Sequence, residues 1–552
     1  MRATQTSGGV TARAVAGNHA VFLGFNLDAG ARAGCLGFAV YRVDHTESEQ
    51  YWLAGFKTFR SVVPVPDPNT VYSTLDHPLQ TFYWGDYTAK PAHEYSYRIV
   101  PRYGAPKNLA DRDGAEVTLD VGTSDPTDGT HGVYFNRGVA ASQAYTRKFG
   151  LPPDQLQPEK QAEALAWLSR GLMEAILGVI GEASSADFAI RAAVYEFTQP
   201  DVLAAFRAAH ERGADVKIVY HALDDGAGNA NRQAIAAAGL DPTMLIERKN
   251  AKIAHNKFIV LCTKDAAGEL APISVWTGST NLSEGGIYGH SNVGHAVRDT
   301  AVAERFLQLW STLEPDPLTP PLQDWITTNS AFDAGTAGAA GTQTIFSPRH
   351  GLDPLNWYAH EFGGPQASVY ITEAFGMNTA FENALEAYTG DALHYVLLEK
   401  PDDHQAQWAT SPKVIVAVGS AGGPAELSRW AQERLTGFNP RVQYLHTKIL
   451  LVDPVSAAPT VISGSANFSS ASTTANDENM LVIAADADVA DVYFTEFMRM
   501  FNHFYARWWA SQLGGGAATA DAHSFLDETD AWQTPYFTDG HPKQRQRTLY
   551  SS

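Results

Sequence analysis

Two stretches of the sequence carry one pattern, Ala254-His255-Asn256-Lys257-Phe258-Ile259-Val260-Leu261 and Leu445-His446-Thr447-Lys448-Ile449-Leu450-Leu451-Val452. Each is followed by Gly-Ser-x-Asn, at residues 278–281 and 464–467. Residues two apart on a strand point to the same face, so each His projects with its Lys, and the apolar run predicts a buried strand. The glycine lets backbone approach a ligand closely. We call each His-x-Lys with its strand and its Gly-Ser-x-Asn a histidine cassette.

The repetition of the cassette is more informative than either copy. With 18 His and 14 Lys in 552 residues, the expected number of His-x-Lys matches by chance is about 0.5, so a single copy would carry little information. Both copies, however, continue into an apolar strand and then Gly-Ser-x-Asn, with 26 residues from His255 to Asn281 and 21 from His446 to Asn467. Each half of the chain supplies one histidine, so we expect a single site where the halves meet.

The residue types in the cassettes fit phosphodiester cleavage. This reaction needs a nucleophile, an acid for the leaving oxygen and charge stabilisation on the other phosphate oxygens. Two histidines can fill the first two roles, while two lysines and two asparagines hold the phosphate and serine hydroxyls bind it. The predicted catalytic residues are His255, Lys257, Asn281, His446, Lys448 and Asn467, and the predicted substrate-binding serines are Ser279 and Ser465.

Strand and helix patterns alternate before each cassette, which predicts βαβ units and a mostly parallel sheet. In the first half residues 187–195 are strand-like, 199–212 helical and 215–221 strand-like, and residues 161–180 have helical spacing. The order strand, helix, strand returns at residues 367–375, 379–388 and 392–398. A duplicated α/β unit is the economical explanation.

The first 125 residues differ from the rest. Residues 37–43 and 94–100 alternate apolar and polar side chains with period two, which predicts strands of an all-β domain. Their Tyr-x-Tyr-x-Ile pattern resembles a strand of a fibronectin type III or immunoglobulin-like sandwich. We therefore predict three domains, at residues 1–125, 126–335 and 336–552. The first would be a structural module or a docking surface for a protein partner, and the oligomeric state stays open.

Composition narrows the classes of function. The net charge of −20, from 40 basic and 60 acidic residues, disfavours sequence-independent binding to nucleic acid. Only Cys35 and Cys262 are present, so a disulfide framework is not expected. Neither a signal peptide nor an apolar run of membrane-spanning length is visible. A cytoplasmic location is the expectation, with secretion after trimming left open.

The cassettes resemble those of the phospholipase D superfamily, whose motif is His-x-Lys-x4-Asp followed by Gly-x-x-Asn. The resemblance covers roughly residues 126–510 and is complete in the second copy, including Asp453 as a structural support. It implies paired α/β/α sandwich halves with the active site at their interface. It also implies a phosphohistidine formed on His255, His446 as acid and then base, and no metal or other cofactor.

The first copy departs from this pattern. Cys262 stands at the aspartate position. In the second copy Glu478 occupies the place of the family carboxylate that orients histidine, and the same count in the first copy reaches Asn292. Glu478 is therefore predicted to be catalytic and Asn292 to line the substrate site. The sequence predicts that the His446 half has both acidic supports and that the His255 half has neither. Tyrosyl-DNA phosphodiesterases, a branch of the superfamily, also lack the aspartate, so its loss is compatible with activity.

Three functions remain open. The favoured one is metal-independent hydrolysis of a phosphodiester, with a phospholipid head group as the preferred substrate. The second is a nuclease or DNA-end phosphodiesterase of the same superfamily. The third is a non-catalytic phosphate-binding or scaffold protein. Superfamily members also include transferases, so an alcohol could replace water as acceptor.

Overall fold

The computed structural model describes residues 1–67, 70–138, 142–420, 444–512 and 525–552. Within these ranges the chain is a mixed α/β protein with two seven-stranded sheets, two antiparallel sheets of four and five strands, and two two-stranded sheets. The mixed α/β class predicted from the sequence is confirmed. Strands and helices are numbered below in chain order.

The N-terminal strands form two antiparallel sheets that share a hydrophobic core. The first contains β1 (Arg2–Ser7), β2 (Val10–Ala16), β3 (Val21–Leu27) and β9 (Tyr83–Asp86), and the second β4 (Cys35–Asp44), β5 (Glu49–Trp52), β10 (Glu94–Ala105), β11 (Asn108–Ala110) and β12 (Val117–Gly122). Short helix α1 (Ala29–Arg32) links the two sheets. The strands predicted at residues 37–43 and 94–100 lie in β4 and β10 and pair with each other. Assignment to a fibronectin type III-like sandwich stays a prediction.

The first seven-stranded sheet holds the first cassette. Its strands, in spatial order, are β13 (His131–Phe135), β19 (Val293–Val297), β18 (Leu270–Gly278), β17 (Lys257–Lys264), β14 (Phe188–Val194), β15 (Asp215–His221) and β16 (Leu245–Arg248). Its helices are α2 (Ser142–Phe149), α3 (Pro158–Ser169), α4 (Leu172–Gly181), α5 (Pro200–Glu211), α6 (Gly226–Ala238), α7 (Thr300–Leu313) and α8 (Thr319–Asn329).

The second seven-stranded sheet repeats this strand order around the second cassette. Its strands are β20 (Gly341–Ser347), β26 (Glu478–Ala484), β25 (Thr460–Gly464), β24 (Ile449–Val452), β21 (Ser368–Glu373), β22 (Leu393–Leu398) and β23 (Val414–Val418). The helices of this part are α9 (Asp353–Phe362), α10 (Thr379–Ala387), α11 (Gln405–Trp408), α12 (Ser470–Thr474), α13 (Ala487–Gln512) and α14 (Pro542–Ser551). Origin by duplication stays a prediction.

The prediction of a mostly parallel sheet is wrong for both sheets. Only β14, β15 and β16, and likewise β21, β22 and β23, are parallel neighbours, and all other pairings are antiparallel. Crossover helices such as α5 and α6 connect only the parallel strands. The cassette strands β17 and β24 run against the strands beside them, so the chain re-enters the sheet from the opposite end.

The largest hydrophobic core contains residues of both large sheets and of helices α7 and α13. The C-terminal segment, by contrast, packs on the N-terminal sheets: β27 (Phe525–Leu526) pairs with β7 (Thr58–Phe59), and Trp532 donates its indole N–H to the Cys35 carbonyl at 2.9 Å. The remaining short strands, β6 (Ala54–Gly55) and β8 (Tyr72–Ser73), pair with each other. The three predicted domain ranges stay a prediction.

The helical pattern over residues 161–180 corresponds to two helices, α3 and α4. The chain turns by 87° between them, where Arg170 and Gly171 both have positive φ. Among the described residues, no single helix has the length and hydropathy to cross a membrane, and this bent pair alone meets that test when its helices are joined.

Candidate active site

Each cassette places its histidine just ahead of a buried strand. Lys257 is the first residue of β17, and Lys448 immediately precedes β24. Each lysine ammonium donates to the carbonyl of its own histidine, with Nζ–O distances of 2.7 Å to His255 and 2.6 Å to His446. The apolar residues that follow lie in the sheet interior and fix the strand direction. The His and Lys are thereby held where a central strand begins, at one end of the sheet.

Two short backbone bridges bring the cassettes together. The His255 N–H donates to the Asp477 carbonyl and the His446 N–H to the Ser291 carbonyl, both at 3.0 Å. Both bridges are parallel, pairing Ala254 with Asp477 and Ser291 with Leu445. The segment before each histidine is therefore hydrogen-bonded to the opposite half. The single site predicted between the halves has this backbone basis.

The two imidazoles face one another. Their ring centroids are 6.4 Å apart and the ring planes meet at 71°. His255 is 8% and His446 is 6% exposed. Two nearly buried histidines at this separation can act from opposite sides on one small group.

Glu478 orients His255 across the interface. Its Oε2 lies 2.8 Å from Nδ1 of His255 and accepts the Ser465 hydroxyl proton at 2.7 Å. Ser465 Oγ in turn accepts the Asn479 backbone N–H at 3.0 Å. A carboxylate only accepts hydrogen bonds, so Nδ1 of His255 carries a proton and Nε2 is directed away from Glu478.

Asn292 orients His446 in the same way. Its Oδ1 lies 3.0 Å from Nδ1 of His446 and accepts the Ser279 hydroxyl at 2.7 Å. Its Nδ2 donates to the Gly286 carbonyl at 2.8 Å, which fixes which end of the amide is the oxygen. His446 Nδ1 is also 3.2 Å from the Ser279 carbonyl, a second acceptor. Nδ1 of His446 therefore bears the proton, as in His255.

The predicted assignment of supports to halves is wrong, because each histidine is oriented by the opposite half. Glu478 serves His255, and Asn292 serves His446. Ser279, Ser465 and Asn292, which were predicted to bind substrate, are fully buried, and their side chains take part in the hydrogen bonds that position the histidines. Substrate binding by these three residues stays a prediction.

Glycine in each Gly-Ser-x-Asn segment permits this arrangement, because it lets the backbone of a neighbouring strand come close. The sequence had suggested that the glycine makes room for a ligand instead. A Cβ at Gly278 would lie 2.3 Å from the Val293 carbonyl oxygen, and a Cβ at Gly464 would lie 2.3 Å from that of Asn479. Only glycine allows this approach. The close contact brings each serine within reach of its orienting side chain.

Burial and like charge shape the electrostatics of the site. Burial lowers the pKa of His255 to about 4, against the opposing effect of Glu478. The pKa of His446 falls well below its usual value through burial and the nearby Lys448. Burial also lowers the pKa of Lys257 to about 8 and holds that of Lys448 well below its usual value. An arriving anion would raise all four pKa values, so the site is suited to bind one.

The cassette asparagines complete the predicted set. Asn281 is buried and Asn467 is half-buried. Within the described residues, neither side-chain oxygen has a hydrogen-bond partner. Each asparagine lies two residues after the serine of its segment, and both remain predicted phosphate ligands.

Asp453 and Cys262 differ in surroundings as well as chemistry. The Asp453 carboxylate accepts the backbone N–H groups of Gln366, Ala367 and Ser368 at 2.7–2.9 Å, so it ties down the chain entering β21. Cys262 is fully buried in the largest core, and burial raises the pKa of its thiol to about 12. The structure thus gives Asp453 a supporting role and Cys262 a packing role.

Two aromatic neighbours of the histidines were not predicted as site residues. The Tyr195 ring lies 4.9 Å from His255, and the Lys257 ammonium is 5.2 Å from the Tyr195 ring. The His290 ring lies 4.6 Å from His446. The position of Tyr195 at the end of a predicted strand, before a cassette, is the signal that would have suggested it.

One group of potential metal ligands occurs among the described residues. Glu382, Asp402 and His404 each offer an atom, and these atoms lie within 4.8 Å of one another. His404 Nδ1 is 2.9 Å from Glu382, and this hydrogen bond raises the pKa of the imidazole. An ion pair explains the group without a metal.

Two segments of the chain match a known protein family. A family model described as the cardiolipin synthase, PLD-like domain matches residues 179–313 and 396–501, which contain the His-x-Lys and Gly-Ser-x-Asn of both cassettes. No curated protein matches the chain.

Several solved structures resemble the chain. Phosphatidylserine synthase from Haemophilus influenzae Rd KW20 has 12% identity and a TM-score of 0.41, over 64% of this chain and 90% of that one. Nuc, a phospholipase D family member from Salmonella typhimurium, has 29% identity and a TM-score of 0.21, over 25% and 84%. Polyphosphate kinase from Porphyromonas gingivalis has 12% identity and a TM-score of 0.37, and the match covers 58% of this chain but only 46% of the kinase. Both cassettes lie inside the matched segments, so the chain is similar to the phospholipase D superfamily over residues 179–313 and 396–501.

Proposed function

We propose that this protein is a metal-independent phosphodiesterase that works through a phosphohistidine. The observation that carries the proposal is the facing pair of imidazoles, 6.4 Å apart, each with Nδ1 engaged by the opposite half. This leaves both Nε2 atoms for chemistry. Lys257 and Lys448 supply the positive charge that a phosphate group requires.

His255 is the proposed nucleophile. Its Nε2 attacks phosphorus, and the bond from phosphorus to the leaving oxygen breaks while the Nε2–H of His446 protonates that oxygen. The ring of the resulting phosphohistidine carries a positive charge. Glu478, 2.8 Å from Nδ1, stabilises that charge, and a neutral amide would do so less.

His446 is the proposed acid and then base. The neutral side chain of Asn292 holds the His446 ring but raises the pKa of the imidazole less than a carboxylate would. Protonated His446 therefore gives up its proton readily to the leaving oxygen. The bound phosphate supplies the negative charge that lets His446 take up the proton beforehand. In the second step Nε2 of His446 accepts a proton from water, the water oxygen bonds to phosphorus, and the bond to His255 breaks.

A lipid phosphodiester is the proposed substrate class. The net charge of −20 supports it over a nucleic acid, and the matched family carries the name of cardiolipin synthase. Hydrolysis is proposed over transfer to an alcohol. A cytoplasmic location and a protein partner for the N-terminal sheets also remain proposals.

The test is cleavage of bis(p-nitrophenyl) phosphate in EDTA. Wild-type protein should turn over, whereas His446→Ala should release about one equivalent of nitrophenol and stop. This is because nitrophenol leaves without an acid, while water needs the base. Mass spectrometry should then find the phosphoryl group on His255. An adduct on His446 in the matched His255→Ala variant, with none in His446→Ala, would reverse the roles.

Two further outcomes separate the alternatives. Phosphatidylcholine vesicles and single-stranded DNA assayed side by side decide the substrate class, and preferential cleavage of the DNA would favour the nuclease. No turnover of any phosphodiester by correctly folded wild-type protein would favour the non-catalytic binder.

A further inference from the structure

Glu373 lies beside the second cassette and has no part in the mechanism above. It is the last residue of β21, the neighbour of cassette strand β24. Ile371 pairs with Leu450, and the Thr372 hydroxyl donates to the Thr447 carbonyl at 2.8 Å and accepts the Ile449 N–H at 3.0 Å. The same antiparallel register, continued by two residues beyond the Ile371–Leu450 pair, sets Glu373 opposite Lys448.

The Glu373 carboxyl is buried, and one of its oxygens lacks a hydrogen-bond partner among the described residues. The residue is 3% exposed, and the oxygen in question is Oε1. Burial raises its pKa well above the usual range, Asp402 acts in the same direction, and Lys448 opposes both. Burial therefore favours the protonated carboxyl, which carries an O–H donor.

The first half shows that the fold does not require an acid at this position. The residue opposite Lys257 in the paired strands β14 and β17 is Val194, which is also buried. An apolar side chain thus suffices to pack against a cassette lysine. Lys257 does have a carboxylate in its surroundings, Glu196, but that side chain is half-buried and accepts the Ser283 hydroxyl at 2.7 Å. A buried carboxyl with an oxygen unpartnered in the described part of the chain, as at Glu373, is more costly than valine and points to a ligand.

We propose that Glu373 is a further residue of the phosphate-binding site, whose protonated carboxyl donates a hydrogen bond to a phosphate oxygen held beside Lys448. This inference rests on the proposed function. A neutral donor adds a contact to the anion and leaves the charge of Lys448 uncancelled. An ionised carboxylate would repel the phosphate and neutralise the lysine.

The test uses two substitutions of similar size in the full chain. Glu373→Gln keeps a neutral donor and should stay within about threefold of wild-type kcat/KM, whereas Glu373→Leu should lose at least about tenfold. Because Leu removes an unsatisfied buried group, its Tm should equal or exceed that of wild type. If Glu373→Leu does not fold, Glu373→Met replaces it.

The pH profile supplies a readout that a packing role would not move. As pH rises Glu373 ionises beside Lys448 and Asp402, so wild-type activity should fall at lower pH than that of Glu373→Gln. The proposal would be overturned if the alkaline limbs of wild type and Glu373→Gln coincided. It would also be overturned by full activity in Glu373→Leu, or by equal losses of kcat/KM in the Leu and Gln variants.

Binding of inorganic phosphate separates this inference from the proposed function. Line broadening of the phosphate ³¹P resonance should show weaker binding to Glu373→Leu than to wild type, even if no phosphodiester is turned over. Turnover without that difference in binding would reject the role of Glu373 alone. Absent turnover with the difference intact would reject the proposed enzyme and keep the phosphate contact.

Discussion

Replacing Glu478 by Gln should separate the charge behind His255 from the geometry that it imposes. The amide oxygen can occupy the position of Oε2 and accept both the His255 Nδ1–H and the Ser465 hydroxyl, now at 2.8 and 2.7 Å. Asn292 already does this for His446, at 3.0 Å from Nδ1. The ring should therefore keep its orientation and tautomer. The negative charge that would stabilise the proposed phosphohistidine is lost.

The magnitude follows from the kind of hydrogen bond. A charge-assisted bond contributes about 1.5–3 kcal/mol and a neutral one about 0.5–1.5 kcal/mol, so the loss is about 1.5 kcal/mol. That corresponds to about tenfold in the rate of His255 phosphorylation. Glu478→Ala, which also frees the ring, should lose at least about a hundredfold.

The assay is the pre-steady-state burst of nitrophenol from bis(p-nitrophenyl) phosphate, measured by stopped flow across pH. Glu478 raises the pKa of His255, so its removal lowers that pKa below about 4 and should move the acidic limb to lower pH. A Gln variant with the wild-type burst rate would refute the role of the charge. One as slow as the Ala variant would refute retention of the geometry.

Three other predictions concern single positions. Asn292→Asp places a carboxylate beside Nδ1 of His446 and should raise the pKa of His446, so the alkaline limb of the kcat/KM profile should move to higher pH. An unmoved limb would contradict the contact at 3.0 Å between residue 292 and His446. Arg248→Met removes the ion-pair partner that lies 2.8 Å from the buried Asp477 carboxylate, and should lower the free energy of unfolding, measured in urea, by about 3–5 kcal/mol. The double variant Arg248→Met/Asp477→Asn should recover part of this loss. A loss under about 1 kcal/mol in the single variant would contradict a role of the ion pair in stability. Cys262 is fully buried with its pKa raised to about 12, so iodoacetamide at pH 8 should spare it in native protein and label it in urea.

Local pattern was enough to predict which side chains meet between the two halves. His255 and Lys257 have fixed spacing, and an apolar run shows which way their strand is buried. The same reasoning holds for His446 and Lys448. These features depend on a few consecutive residues, so they can be read without knowledge of distant contacts.

The partners of the histidines could not be predicted in the same way. Glu478 and Asn292 stand at equal distances from the asparagines of their own cassettes, which suggests support within each half. The crossing depends on bridges joining His255 to Asp477 and His446 to Ser291. Such contacts, between residues more than 150 positions apart, leave no local signal.

The antiparallel direction of the cassette strands and the hydrogen bonds of the two serines both depend on packing that the sequence pattern does not reveal. Alternating strands and helices predict parallel neighbours, but a strand can also return as the antiparallel neighbour of an earlier one, as β17 does beside β14. Ser279 and Ser465 have hydroxyls suited to phosphate, yet the close strand contacts at Gly278 and Gly464 turn them behind the histidines. Which face a side chain presents is settled only by packing.

The two backbone bridges also bear on how such an enzyme can be divided. A fragment carrying His255 without residues 477–478 has neither the carbonyl that holds the histidine backbone nor the carboxylate that holds its ring. The complementary fragment lacks both Ser291 and Asn292 for His446. Neither piece is half an enzyme, because each has the reactive group of one unit and the holder of the other. Activity should return only when separately produced halves reassociate, and a lesion in one half acts on the histidine of the other.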